Sequence, residues 1–126
     1  MAQAHSPGFL KLVDEAKREI AECTVADIKA RLERGEKFHF VDVREESEFA
    51  VDRARGAVHI GKGVIERDIE SKIPDHDADV VLYCGGGYRS ALTALNLKKM
   101  GYTRVTSMDG GMRGWREANL PIDKGA

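Results

Sequence analysis

Cysteine is scarce in this chain: Cys23 and Cys84 are the only two, and they lie far apart. They make a poor disulfide framework, which argues against a stapled secreted scaffold and predicts a reduced, cytoplasmic setting. Long apolar runs are also lacking, and none approaches the length that spans a bilayer. The opening Met-Ala-Gln-Ala-His-Ser-Pro has neither the charged nor the apolar region of a secretory leader. Net charge is only -1, with acids and bases nearly balanced, so no broad attraction to nucleic acid or acidic membranes is expected. The four histidines, His5, His39, His59 and His76, show no metal-ligand spacing, and neither a metal nor a cofactor is expected. What is present is an ordinary globular composition, 42% apolar over 126 residues, enough for one domain with its own core.

Periodicity divides the chain into short alternating elements. Phe9, Val13, Ala16 and Ile20 recur at helical spacing and predict an amphipathic helix over 7–22. Thr24 is a candidate cap, with Asp27 three residues on, for a second helix ending at Gly35. Strands are expected at 38–43, 57–60, 79–83 and 104–108. Helical segments are expected at 46–51, 64–69, 90–100 and from Gly110 to Ala118. Strands alternating with helices predict an α/β domain, with a parallel central sheet of about five strands and helices on both faces. The expected division is a helical extension 1–21, a domain 22–122 and a short tail 123–126.

One stretch concentrates chemistry: Cys84-Gly85-Gly86-Gly87-Tyr88-Arg89-Ser90, between the apolar run Val80-Val81-Leu82-Tyr83 and a helix. Sites in open parallel sheets lie at the carboxyl ends of strands, where Cys84 falls. Glycines let the backbone curl with its N–H groups inward, and a helix amino terminus adds positive potential. Such a turn holds an anion and favours thiolate over thiol, making Cys84 a candidate nucleophile. The glycines are not a nucleotide-binding loop, because no Gly-Lys-[Ser/Thr] follows.

Together with Val41-Asp42-Val43-Arg44, Gly56-Ala57-Val58-His59-Ile60 and Asp109-Gly110-Gly111-Met112-Arg113-Gly114-Trp115, the loop resembles the rhodanese family of sulfurtransferases in its small single-domain form. Four segments in family order, spanning about 22 to 122, carry the likeness. It implies a rhodanese-like fold and transfer of a sulfane sulfur through a persulfide on Cys84. The implied donor is a small anion such as thiosulfate, and the acceptor is cyanide, a thiol or a protein. The chain departs from the family pattern at Asp52-Arg53-Ala54, where Gly-His-Ile is usual. Gly85, Gly86 and Tyr88 carry no charge, whereas thiosulfate-preferring members often have basic residues there, so the donor stays open.

The amides of Gly85, Gly86, Gly87, Tyr88, Arg89 and Ser90 are the expected anion cradle. Arg89 either meets the incoming anion or pins the loop through carbonyls or a carboxylate such as Asp42. Asp42 either caps the next helix or stands on the rim of the site. Arg44 either steers anions or pairs with Glu48. Trp115 is expected in the core and Cys23 as an inert, partly buried thiol at a helix border. The amino-terminal helix is a candidate docking or homodimer element. Two rival functions remain: a non-catalytic binding or redox-sensing module, and a cysteine phosphatase or arsenate reductase. Those phosphatases place five residues between cysteine and arginine, whereas four, Gly85 to Tyr88, intervene here.

Overall fold

The computed structural model describes residues 5–125, so the outer ends of the 1–21 extension and the 123–126 tail lie outside the described residues. The chain runs α1 (Pro7–Lys17), β1 (Ala21–Cys23), α2 (Val25–Glu33), β2 (His39–Asp42), α3 (Glu46–Val51), β3 (Asp52–Ala54) and β4 (Val58–His59). It continues through α4 (Ile65–Lys72), β5 (Val80–Tyr83), α5 (Tyr88–Lys99), β6 (Val105–Met108), α6 (Gly111–Glu117) and β7 (Ile122–Lys124). Five strands form one sheet in the order β1-β6-β5-β2-β4, and every pairing in it is parallel. This is the α/β architecture that the alternation predicts.

Strand β5 occupies the centre of that sheet, and all four of its residues are buried. Its unbroken apolar run is what a strand covered on both faces requires. Side chains alternate between the two faces. Val80 and Leu82 pack with Ile65 and Ile69 of α4 and Leu97 of α5; Val81 and Tyr83 pack with Ile28 of α2 and with Met112 and Trp115 of α6. Each such fully buried side chain stabilises the fold by roughly 1.5–3 kcal/mol. Trp115 belongs to this core, as expected, and its indole N–H donates to the Pro121 carbonyl at 2.8 Å.

Some elements depart from the sequence expectation. The first helix stops at Lys17, and Ala21–Cys23 form an edge strand paired with β6. Ile20 continues the helical spacing but packs on the α4–α5 side of the core from the connecting turn. Asp52–Ala54, polar and short, pairs antiparallel with Ile122–Lys124 in a separate two-stranded sheet. Three-residue strands show too few alternations for a period to be read. Helix α4 extends to Lys72, and α5 begins at Tyr88 rather than near Ser90.

Candidate active site

Alternation along β5 decides where Cys84 points. It shares the face of Val80 and Leu82 and therefore lies beneath the amino terminus of α5. Gly87 is the residue before that helix and adopts φ 104°, a left-handed conformation that glycine accepts without strain. It has no side chain with which to cap α5, so the helix's first amides are left for another acceptor. The sulfur fills that role: Gly87 N–H donates to Cys84 Sγ at 3.1 Å and Ser90 N–H at 3.4 Å. Ser90 Oγ lies 3.5 Å from the sulfur and 2.8 Å from Ser107 Oγ. In effect Cys84 Sγ replaces the usual capping oxygen for the first turn of α5. Gly85, Gly86, Tyr88 and Arg89, also expected in the cradle, make no backbone hydrogen bond to the sulfur.

The residue is only 1% exposed, yet it is among those that line a cavity of about 570 Å³. Gly85, Gly86, Tyr88 and Arg89 line that cavity from the loop, with Glu48 from α3 beside them. Arg113 and Arg116 of α6, and His5 and Phe9 at the start of the chain, complete its walls.

The carboxyl-terminal signature fixes the loop from outside. Met112 N–H donates to the Cys84 carbonyl at 2.8 Å, and Arg113 N–H to the Gly85 carbonyl at 3.0 Å. Holding these carbonyls against α6 orients the adjoining peptide planes. The approach is so close that a Cβ on Gly111 would collide with the Cys84 carbonyl oxygen and lie 2.8 Å from the Gly85 carbonyl carbon. On Gly87 a Cβ would lie 2.9 Å from Asp109 Oδ1. Two segments of backbone are thus locked together at positions only glycine can occupy.

Arg89 grips Glu48 in a two-pronged pair, Nη1 to Oε1 at 2.7 Å and Nη2 to Oε2 at 3.2 Å. The pairing with Arg89 holds Glu48 below the usual carboxylate range. Glu48 also accepts the Glu45 N–H at 3.0 Å and so closes a capping box on α3. Arg89 therefore ties the loop to α3 through Glu48, not through Asp42.

Asp42 and Arg44 do not line this cavity. Both follow Phe40 in the two-residue period and face away from Cys84. Asp42 is fully buried and Arg44 only 3% exposed. Arg44 Nη2 donates to Asp42 Oδ2 at 2.7 Å and to the Asp52 carbonyl at 2.6 Å. Arg44 thus takes Asp42, not Glu48, as its main partner, and Asp42 does not cap α3. Asp52 continues the chain of charges to Arg116, with Oδ1 2.7 Å from Nη2. His59 Nε2 lies 2.7 Å from the Arg44 carbonyl, in a structural position.

Sequence reasoning did not assign Glu48, Arg113, Arg116, His5 or Phe9 to the cavity. Arg113 was visible inside the Gly-Gly-Met-Arg motif, but the close approach of α6 to the loop has no local signal. Cys23 ends β1 and is half-buried; burial, reinforced by the Asp27 carboxylate, pushes its thiol up to about 11.

The model of the rhodanese-like domain matches residues 24–118. The Bacillus subtilis protein YtwF is 34% identical over 103 residues, covering 82% of this chain and 97% of YtwF. The thiosulfate sulfurtransferase GlpE of Haemophilus influenzae is 36% identical over 83 residues, covering 66% of this chain and 77% of GlpE. A solved structure from Rhodopseudomonas palustris, described as a protein of unknown function and "possible tyrosine phosphatase", superposes with a TM-score of 0.80. That protein is 32% identical, with 98% of this chain and 99% of the other covered. With the rhodanese-like domain model matched over residues 24–118, and with sulfurtransferases among its relatives, the chain belongs to the rhodanese-like family.

Proposed function

We propose that this protein is a sulfurtransferase that carries a sulfane sulfur as a persulfide on Cys84. The Cys84 thiolate attacks the outer sulfur of a donor such as thiosulfate. A new sulfur–sulfur bond forms, the donor's own sulfur–sulfur bond breaks, and sulfite leaves with the electron pair. A nucleophilic acceptor, cyanide or a thiol of a small molecule or protein, then removes the outer sulfur and regenerates the thiolate. Cytoplasmic chemistry of this kind needs neither metal nor cofactor.

The observation that carries this reading is the pair of amides, Gly87 and Ser90, on the sulfur of a cysteine that lines a cavity. These two N–H donors, aimed at one sulfur, hold it in place for attack on a donor. Of the other groups expected to bind substrate, Gly85, Gly86 and Tyr88 line the mouth, and Arg89 frames it. Asp42 and Arg44 support the rim through Asp52 and Arg116.

The Rhodopseudomonas likeness brings phosphatase chemistry forward as a second reading. Against it, Arg89 follows Cys84 one residue too soon for the phosphatase spacing, and its guanidinium is already held by Glu48. Intact-mass measurement after incubation with thiosulfate tests the proposal. Gain of one sulfur atom on the wild type, and none on Cys84→Ser, is expected. Hydrolysis of p-nitrophenyl phosphate without loading by any sulfane donor would overturn it, and neither activity would leave a binding module.

A further inference from the structure

The mouth over Cys84 is built partly by residues ahead of the matched domain, which begins at residue 24. His5 and Phe9 both line the cavity and converge on Tyr88, the first residue of α5. The His5 and Tyr88 rings meet edge-on with centroids 4.7 Å apart. Phe9 is 6.2 Å from Tyr88 and 5.4 Å from His5. Three rings therefore form one continuous wall.

That wall is anchored at several points. Val13 and Ala16 bury the apolar face of α1, which packs on α5. Lys17 lies over the Tyr88 ring at 5.9 Å and binds Glu22 at 2.8 Å and Asp109 at 3.3 Å. At the far end, Lys98 Nζ donates to the Glu19 carbonyl at 2.6 Å. Arg113 and Arg116 line the same cavity. Arg116 is held by Asp52, whereas Arg113 makes no ion pair among the described residues. A substrate entering here shares one cavity with aromatic carbon, a cation and Cys84. A bare inorganic donor has nothing to place against the rings.

Resting on the sulfurtransferase reading, we propose that His5, Phe9 and Tyr88 form a specificity wall for organic sulfane donors. Such a donor joins an aromatic or other apolar group to the transferable sulfur and carries a negative charge that Arg113 attracts. With an organic thiosulfonate, the Cys84 thiolate attacks the terminal sulfur. The donor's sulfur–sulfur bond breaks, the sulfinate leaves with its electron pair, and the negative charge stays on the new persulfide. No proton or oxidant is required. Stacking of the donor's ring supplies the discrimination, on the order of 10-fold for one well-placed aromatic contact.

The test compares kcat/KM for benzenethiosulfonate and for thiosulfate, with cyanide as the common acceptor. It uses the full chain as wild type, Phe9→Ala and His5→Ala. Binding of unreactive benzenesulfonate to Cys84→Ser, with and without Phe9→Ala, is measured alongside by calorimetry. Expected are an aryl preference of about 10-fold in the wild type, its decline towards parity in both variants, and weaker benzenesulfonate binding when Phe9 is removed. If Phe9→Ala loosens α1, the exposed His5→Ala carries the kinetic comparison. Equal use of both donors by the wild type, or an aryl preference unchanged in the variants, overturns the wall while leaving the sulfurtransferase reading in place. Failure of the wild type to transfer sulfur from either donor overturns that reading instead. The calorimetric arm then decides the wall alone, and benzenesulfonate binding indifferent to Phe9 rejects it.

Discussion

Cys23 and Cys84 each stand where a parallel strand gives way to a helix, on strands separated in the sheet by β6, and the two turns treat them in opposite ways. After Cys23 the helix α2 is capped by side chains. Thr24 Oγ1 accepts the Asp27 N–H at 3.0 Å, and Asp27 Oδ2 accepts the Thr24 N–H at 2.9 Å. The cap occupies these amides and adds a carboxylate beside the thiol, and Cys23 is pushed up by burial and by that carboxylate. After Cys84 the cap position holds glycine, so the amides of Gly87 and Ser90 turn to the sulfur itself. Being a cysteine at the end of a parallel strand is therefore not sufficient for reactivity. What differs is which atom accepts the next helix's first hydrogen bonds.

Exchange of the two sulfurs for oxygen tests this contrast most severely. Cys84→Ser is expected to abolish sulfur loading and lower transfer by about 10³-fold or more, whereas Cys23→Ser leaves both intact; intact mass and steady-state kinetics read the result. In the native chain, iodoacetamide at pH 8 should label Cys84 about 100-fold faster than Cys23, as followed by peptide mass spectrometry. Cys23, pushed up to about 11, should still be gaining reactivity above pH 10. Equal labelling of the two would remove the basis of the contrast.

Gly87→Ala introduces a side chain at positive φ against Asp109 and should cost about 1–3 kcal/mol in urea unfolding. Transfer should fall roughly 10- to 100-fold because the amide leaves the sulfur. Glu48→Gln weakens the hold on Arg89 and should reduce kcat/KM about 10-fold. Because pairing lowers the Glu48 value, its contribution to stability is complete above about pH 4.3. That contribution is lost as pH falls through the lower folded value, so acid unfolding of Glu48→Gln should lack this component. The gentlest change is at the other turn: Asp27→Asn should cost at most about 1 kcal/mol, speed Cys23 labelling a few-fold and leave transfer unchanged.

Much of this was legible because local patterns and the global fold agree. The apolar run of β5, the glycine loop and the helix after it place Cys84 without any structure. The face of Asp42 and Arg44 was legible too: they share parity with Phe40, while Val41 and Val43 share the Cys84 side. Expecting Asp42 and Arg44 on the rim beside Cys84 overlooked that alternation. Other features had no local signature. The three-residue strands β1, β3 and β7 are too short to show a period, and the contact of Phe9 with Tyr88 joins distant parts of the chain. The grip of Glu48 on Arg89 depends on how α3 sits beside the loop, which no spacing encodes.

The clasp between α6 and the loop links the order of synthesis to the appearance of function. Translation delivers Cys84 well before Gly111, Met112 and Arg113, whose backbone later seizes the carbonyls on either side of the Cys84–Gly85 bond. Until those residues emerge and dock, a nascent chain lacks the clasp that fixes the Cys84 and Gly85 carbonyls. The shape of the loop is thereby completed only when the domain itself nearly is.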